Sequence, residues 1–150
     1  MHDNRSPENL IITTLTPALV AARGSEILAC SRDVSDWTLE HLSKDLPDKW
    51  RLSFMASFDL QVVGYAIVSR KFGQAHLHQF MVHADHRSRH LGIRLLGECS
   101  QRVGTFTLKV EHNNVRAIAF YERNGLKIQH REGDYLWLVT QPVHDRPAND

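Results

Sequence analysis

The sequence is poor in the features that mark special protein classes. It holds two cysteines in 150 residues, which excludes a disulfide framework and a cysteine-rich zinc module. No apolar run approaches the ~18–20 residues that a membrane-spanning helix needs. The polar stretch Met1 to Pro7 offers no signal-peptide hydrophobic segment. Neither charge dominates: Lys+Arg is 18 and Asp+Glu is 17, for a net charge of +1. A global basic field for nucleic acid is therefore excluded, though a local patch is not. Repeats and low-complexity linkers are missing too. With Cys30 and Cys99 read as free thiols, the expectation is a cytoplasmic protein with no nucleic-acid or membrane partner.

What is present is an ordinary globular composition, with 42% hydrophobic and 23% charged residues. The length suits a single domain over residues 1–150, with 143–150 as a frayed polar tail. A domain of this size hides roughly 70% of its unfolded surface, enough for a core without staples. The unusual count is ten histidines.

Hydrophobic periodicity alternates between two and 3.6 along the chain. Residues 9–15 read as a strand. Thr16-Pro17 reads as a cap and first helical position before a helix to about residue 30. A second helix is expected from Ser35 or Asp36 to just before Pro47. Residues 50–58, 61–68 and 75–82 read as strands, the first two joined as a hairpin. Leu91, Leu95, Cys99 and Val103 mark a helix over 91–103. A strand at 105–110, a helix at 115–123 and strands at 126–129 and 135–140 complete the order. The predicted architecture is α/β: a mixed, mostly antiparallel sheet with helices on both faces. A central strand–helix–strand crossover should join parallel strands.

The most informative stretch runs from Val82 to Leu96. A strand ends, a basic turn holds Arg87 and Arg89, and an apolar-periodic helix begins. The first helical turn leaves four N–H groups unpaired and carries about half a positive charge, so it is a ready anion site. Gly92 would admit a close backbone approach. The alternative is a helix start with its arginines in water.

Arg87-Ser88-Arg89-His90-Leu91-Gly92 resembles the Arg/Gln-x-x-Gly-x-Gly/Ala loop of the GNAT superfamily of acyl-CoA-dependent N-acetyltransferases, with His90 in place of the first glycine. Downstream, Asn114 to Leu126 resembles that family's Asn-x-x-Ala-x-x-Phe-Tyr-Glu-x-x-Gly-Phe segment. The likeness is close from about Gly64 to Leu126. It implies acetyl-CoA as co-substrate, with a pyrophosphate cradled by backbone of Ser88, Arg89, His90, Leu91, Gly92 and Ile93 beside Arg87. It also implies that Asn114 bonds the pantetheine arm, and that backbone N–H groups at Phe80, Met81 and Val82 serve an oxyanion. Tyr121 holds the family's general-acid position.

Ala75-His76-Leu77-His78 ends in Val82-His83 and is similar to the fourth strand of the arylalkylamine (serotonin) N-acetyltransferases. Residues i and i+2 of a strand share a face, with Cα atoms ~6.6–6.8 Å apart. The resemblance implies that His76 and His78 take the amine proton through water. The chemistry needs such a group: an alkyl amine of pKa about 10.4 is neutral in only about one molecule in 10³ near pH 7. Imidazole, mostly neutral at that pH, accepts the proton. The Glu that serves as base on the next strand of many protein-N-terminus acetyltransferases is replaced by Lys109, with Glu111 nearby as a weaker candidate. Cys99 lies on the apolar stripe of its helix and reads as core.

The expected function is acetylation of a small primary amine by direct transfer. Alternatives are a peptide or protein amine as acceptor, a degenerate acyl-CoA-binding module, and a metal-binding protein built on histidines. The acceptor pocket is expected from residues 34–50 and 135–142, where Trp37, Trp50, Tyr135 and Trp137 either line it or fill the core. His2, His41, His130 and His144 read as surface residues, His83 and His86 as flanks of the basic turn.

Overall fold

The computed structural model of the protein describes residues 9–87 and 90–141. The expected phosphate ligands Ser88 and Arg89 and the expected tail, 143–150, lie outside the described residues, as do His2 and His144.

The elements follow the hydrophobic periodicity closely in the second half and less closely in the first. In chain order they are β1 (Ile11–Thr14), α1 (Pro17–Ala29), α2 (Leu39–Ser43), α3 (Lys49–Leu52), β2 (Phe54–Phe58), β3 (Gln61–Lys71) and β4 (Gln74–Val82). After a short 3-10 turn (Ala84–His86) come α4 (Leu91–Val103), β5 (Phe106–Glu111), α5 (Val115–Arg123), β6 (Leu126–Glu132) and β7 (Tyr135–Thr140). Thr16 caps α1, accepting from the Leu19 N–H, and Pro17 occupies the first turn, where a missing N–H is harmless.

Two expectations fail between residues 35 and 52. The second helix spans only Leu39–Ser43, because Thr38, not Ser35, forms the capping box with His41. The Ser35 hydroxyl is engaged elsewhere, accepting from the Trp37 N–H. Residues 49–52 form a helical turn rather than the start of a strand, entered through Asp48 at φ 62. Lys49 is fully buried there. Its ammonium donates to the carbonyl of Leu42 at 2.7 Å and to that of Lys44, so it closes the end of α2. The alternation of Leu52, Phe54 and Ala56 cannot reveal a buried lysine that binds carbonyls.

The sheet has seven strands in the order β1-β2-β3-β4-β5-β7-β6. Among the described residues only β4 and β5, joined by the α4 crossover, run parallel. The mixed, mostly antiparallel sheet with helices on both faces is as expected. One core lies under α4 and α5 and includes Phe54, Ala66, Leu77, Leu95, Cys99, Phe106 and Leu138. A second lies under α1 and α2 and includes Val20, Ile27, Leu42, Met55, Tyr65 and Ile67. This second core holds no residue of β5, β6 or β7 among the described residues. The α1–α2 face of the sheet is thus open over its β5–β7–β6 end, where Lys109 and Tyr135 are exposed.

Candidate active site

The opening in the sheet sets the site. Parallel pairing of β4 with β5 covers only Ala75 to Leu77 against Phe106 to Leu108. Beyond that point both strands continue, to Val82 and Glu111. Their facing edges part. His83 donates its N–H back to the Val63 carbonyl on the β3 side at 2.7 Å. By alternation, the N–H groups of Val82 and Phe80 face the open side, whereas that of Met81 faces β3.

The same place carries a β-bulge. Ile67 pairs with Gln79 and Val68 with Leu77, so His78 is the extra residue on β4. A bulge bends its strand and re-aims a side chain. Here it brings the His78 and His76 rings to 4.7 Å, edge to face. His78 Nε2 meets the Ser69 hydroxyl at 2.7 Å. His76 Nδ1 meets the Thr107 hydroxyl across the β4–β5 pair at 2.8 Å. Trp137 packs against His76 at 5.1 Å between ring centres, and His130 stacks on the same indole at 5.6 Å. His130 is exposed, as expected of a surface residue, and its ring lies against the Trp137 indole.

Both imidazoles are held neutral. Burial pushes the His76 pKa from 6.5 down to about 4, with further lowering by His78 and Lys109. His78 is also lowered, first by the protein around it and then by the Lys49 ammonium. At neutral pH each ring can accept a proton. A hydroxyl partner can donate or accept, so Ser69 and Thr107 can follow a change of tautomer.

Tyr121 stands on the opposite face of the sheet, on α5. Its ring lies 6.4 Å from Phe80 and 5.4 Å from Phe120. Burial, and then Cys99, push its hydroxyl pKa up, so it stays protonated. Cys99 is buried in that core as expected, and burial pushes its thiol up to about 12, leaving it inert as a nucleophile.

The helix α4 begins at Leu91 with His90 as its cap residue, at φ 60 and with no side-chain cap. The left-handed region favours glycine. His90 thus adopts the backbone geometry that the resemblance assigns to a glycine, at a cost of roughly 1–2 kcal/mol. The N–H groups of Leu91, Gly92 and Ile93 begin a 13-residue helix and have no intrahelical acceptor. That arrangement suits an anion such as the pyrophosphate of acetyl-CoA. Gly92 has a packing role as well, since a Cβ there would stand 3.1 Å from the Phe120 ring.

Two expected cofactor residues are already engaged. Arg87 makes a two-pronged ion pair with Asp33 at 2.7 and 3.0 Å and donates to the Val82 carbonyl at 2.8 Å. The guanidinium holds the Asp33 carboxyl below the usual carboxylate range. Arg87 therefore ties the end of β4 to the segment after α1. That segment is also fixed by Tyr65 donating to Ser31 and by Gln79 donating to Ser35. Asn114 caps α5, accepting from the Ala117 N–H at 3.2 Å. His86, at the flank of the turn, is buried and lies 5.9 Å from the Phe58 ring.

Of the four candidate pocket aromatics, Trp137 stands beside His76, and Tyr135 lies over Lys109. Trp37 and Trp50 pack on the second core. Ser69 and Thr107 are not readable from the sequence as partners of the histidines, because each reaches them through strand register. Among the described residues, no group of three or more His, Cys, Asp or Glu side chains could hold a metal ion.

Residues 22–126 match the Acetyltransferase (GNAT) family. The chain belongs to that family. This GNAT chain is accordingly an acyltransferase, with acetyl-CoA as co-substrate. No curated protein sequence matches it. Solved structures share its fold at low identity. The ribosomal-protein-S18-alanine N-acetyltransferase of Escherichia coli is 19% identical, with a TM-score of 0.69 over 87% of this chain and 92% of that one. PaiA N-acetyltransferase of Thermoplasma acidophilum, in complex with coenzyme A, is 14% identical, with a TM-score of 0.68 over 89% and 99%. Arabidopsis thaliana Naa50, in complex with the bisubstrate analogue CoA-Ac-MVNAL, is 14% identical, with a TM-score of 0.66 over 90% and 99%.

Proposed function

We propose that this GNAT chain acetylates a primary amine of a small molecule by direct transfer, with His78 and His76 as a water-linked base and Tyr121 as the acid. The observation that carries the reading is the bulge at His78, which sets two neutral imidazoles where β4 and β5 part. Acetyl-CoA supplies the activated acyl group.

The residues divide the work as follows. The N–H groups of Leu91, Gly92 and Ile93, with Ser88, Arg89 and His90, hold the pyrophosphate. Asn114 borders the pantetheine arm, and Phe80 and Val82 line the gap with backbone N–H groups; Met81, expected to join them, turns its own N–H to β3. Arg87 acts by fixing the end of β4 through Asp33. An ammonium arriving at the open face must lose a proton before it attacks, and a neutral imidazole takes it. His78 is the better acceptor of the two, because His76 near 4 holds a proton too weakly. Tyr121 keeps its proton at Oη and offers it to the departing sulfur. A thiol of pKa about 8.5 is a moderate leaving group, so a hydrogen bond from that hydroxyl is a substantial part of the help required.

Release of free thiol from acetyl-CoA over a panel of arylalkylamines, polyamines, amino sugars, amino acids and peptides tests the reading. Turnover of small amines is expected. Acetyl-CoA binding without turnover of any of them would contradict it. A peptide amine is the second reading, favoured by the resemblance in fold to Naa50, which was solved with a peptide-bearing analogue. Turnover of peptides alone would establish it.

A further inference from the structure

We propose that Lys109 selects the acceptor, and that the site takes a primary amine which also carries a carboxylate. The inference rests on the acetyl-transfer reading above. Lys109 stands on β5 two residues beyond Thr107, which holds His76 by a 2.8 Å hydrogen bond. The two share a strand face, so Lys109 lies about 6.6–6.8 Å further along the same wall. It is in register with Trp137, the indole that packs on His76. Its ammonium sits 5.5 Å from that ring and 4.9 Å from the Tyr135 ring. An aromatic floor therefore joins His76 of the histidine pair to the Lys109 ammonium.

The present counter-ion is easily exchanged. Glu132 approaches Lys109 at 3.6 Å, with side-chain exposures of 63% and 36%. Such an exposed pair contributes only about 0–1 kcal/mol, so a substrate carboxylate can replace it. An acceptor with a second ammonium meets repulsion at Lys109, and one with a carboxylate meets attraction there. Carboxylates exist nearby, but further out: Glu111 is the next residue on that face of β5. With Asp134 it borders a cavity of about 290 Å³ beyond Tyr135. A short ω-amino acid would present its amine to the histidine wall and its carboxylate to Lys109.

The experiment compares kcat/KM for γ-aminobutyrate, its amide and putrescine, which share a chain length and differ in charge. The intact protein should favour the acid over the amide by about tenfold or more, as a charge-assisted contact gives. Putrescine should be the poorest. Lys109→Met should bring the acid-to-amide ratio close to one, and Lys109→Glu should turn the preference toward putrescine. Equal turnover of the three by the intact protein, or a ratio that survives both variants, overturns the proposal. Turnover of peptides with an acidic first residue but not of γ-aminobutyrate overturns it as a small-molecule site. Turnover of no amine at all overturns the parent reading and this one with it.

Discussion

At the scale of single residues, His76 carries a consequence that needs no substrate. Its pKa falls from 6.5 to about 4 on folding. Between these values the unfolded chain binds a proton that the folded chain does not. Stability is therefore complete above about pH 6.5 and is lost as pH falls through that window toward 4. The shift corresponds to about 3–4 kcal/mol at most. Urea denaturation of the intact protein and of His76→Gln, at pH 7 and pH 4.5, should show a steeper loss in the intact protein. Parallel losses would remove the assignment. His90 gives a second test. Because it sits at φ 60 without a side-chain cap, His90→Gly should stabilise the fold by about 1 kcal/mol in the same denaturation assay. The i, i+2 spacing made His76 and His78 legible as a pair. Their partners Ser69 and Thr107 were not, because cross-strand contacts depend on register, and no local pattern encodes a one-residue bulge.

At the scale of elements, α4, β5 and α5 match their expected spans within a residue. Each carries strong local signals: a four-residue apolar repeat, a Gly125 at φ 94 after α5, and an Asn cap. The segment from Ser35 to Leu52 carries only one such signal, the Thr38–His41 capping box. Its shape comes from contacts to other elements, such as Ser35 with Gln79 and Lys49 with the end of α2. The wall of the opening makes a prediction here. A Cβ on Gly64 would stand 2.9 Å from the Met81 carbonyl oxygen and 2.7 Å from a Leu95 methyl. Gly64→Ala should therefore push β4 and destabilise by about 1–3 kcal/mol. Gly97→Ala, on the open side of α4 with nothing within 4 Å, should instead stabilise by about 0.5–1 kcal/mol. Thermal denaturation of the two variants checks the contrast. Equal effects would contradict the packing described at Gly64.

At the scale of the whole molecule, two cores hold the sheet and only one of them extends beneath β5 and β7. The uncovered end leaves the histidine pair, Trp137 and Lys109 on one open face, while Tyr121 stands on the other. The gap between β4 and β5 is where the two faces communicate. Of the ten histidines, two fall at that gap, one stacks on its indole wall and one starts the helix that suits a pyrophosphate. The central proposal is that His76 and His78 take the amine proton at this gap. It is tested most directly by the kcat/KM for an accepted amine at pH 7, in the intact protein and in the double variant His76→Gln/His78→Gln, with acetyl-CoA affinity measured alongside by calorimetry. The account predicts a fall of about 10²-fold or more in kcat/KM with acetyl-CoA affinity retained. An unchanged kcat/KM in the double variant would contradict it.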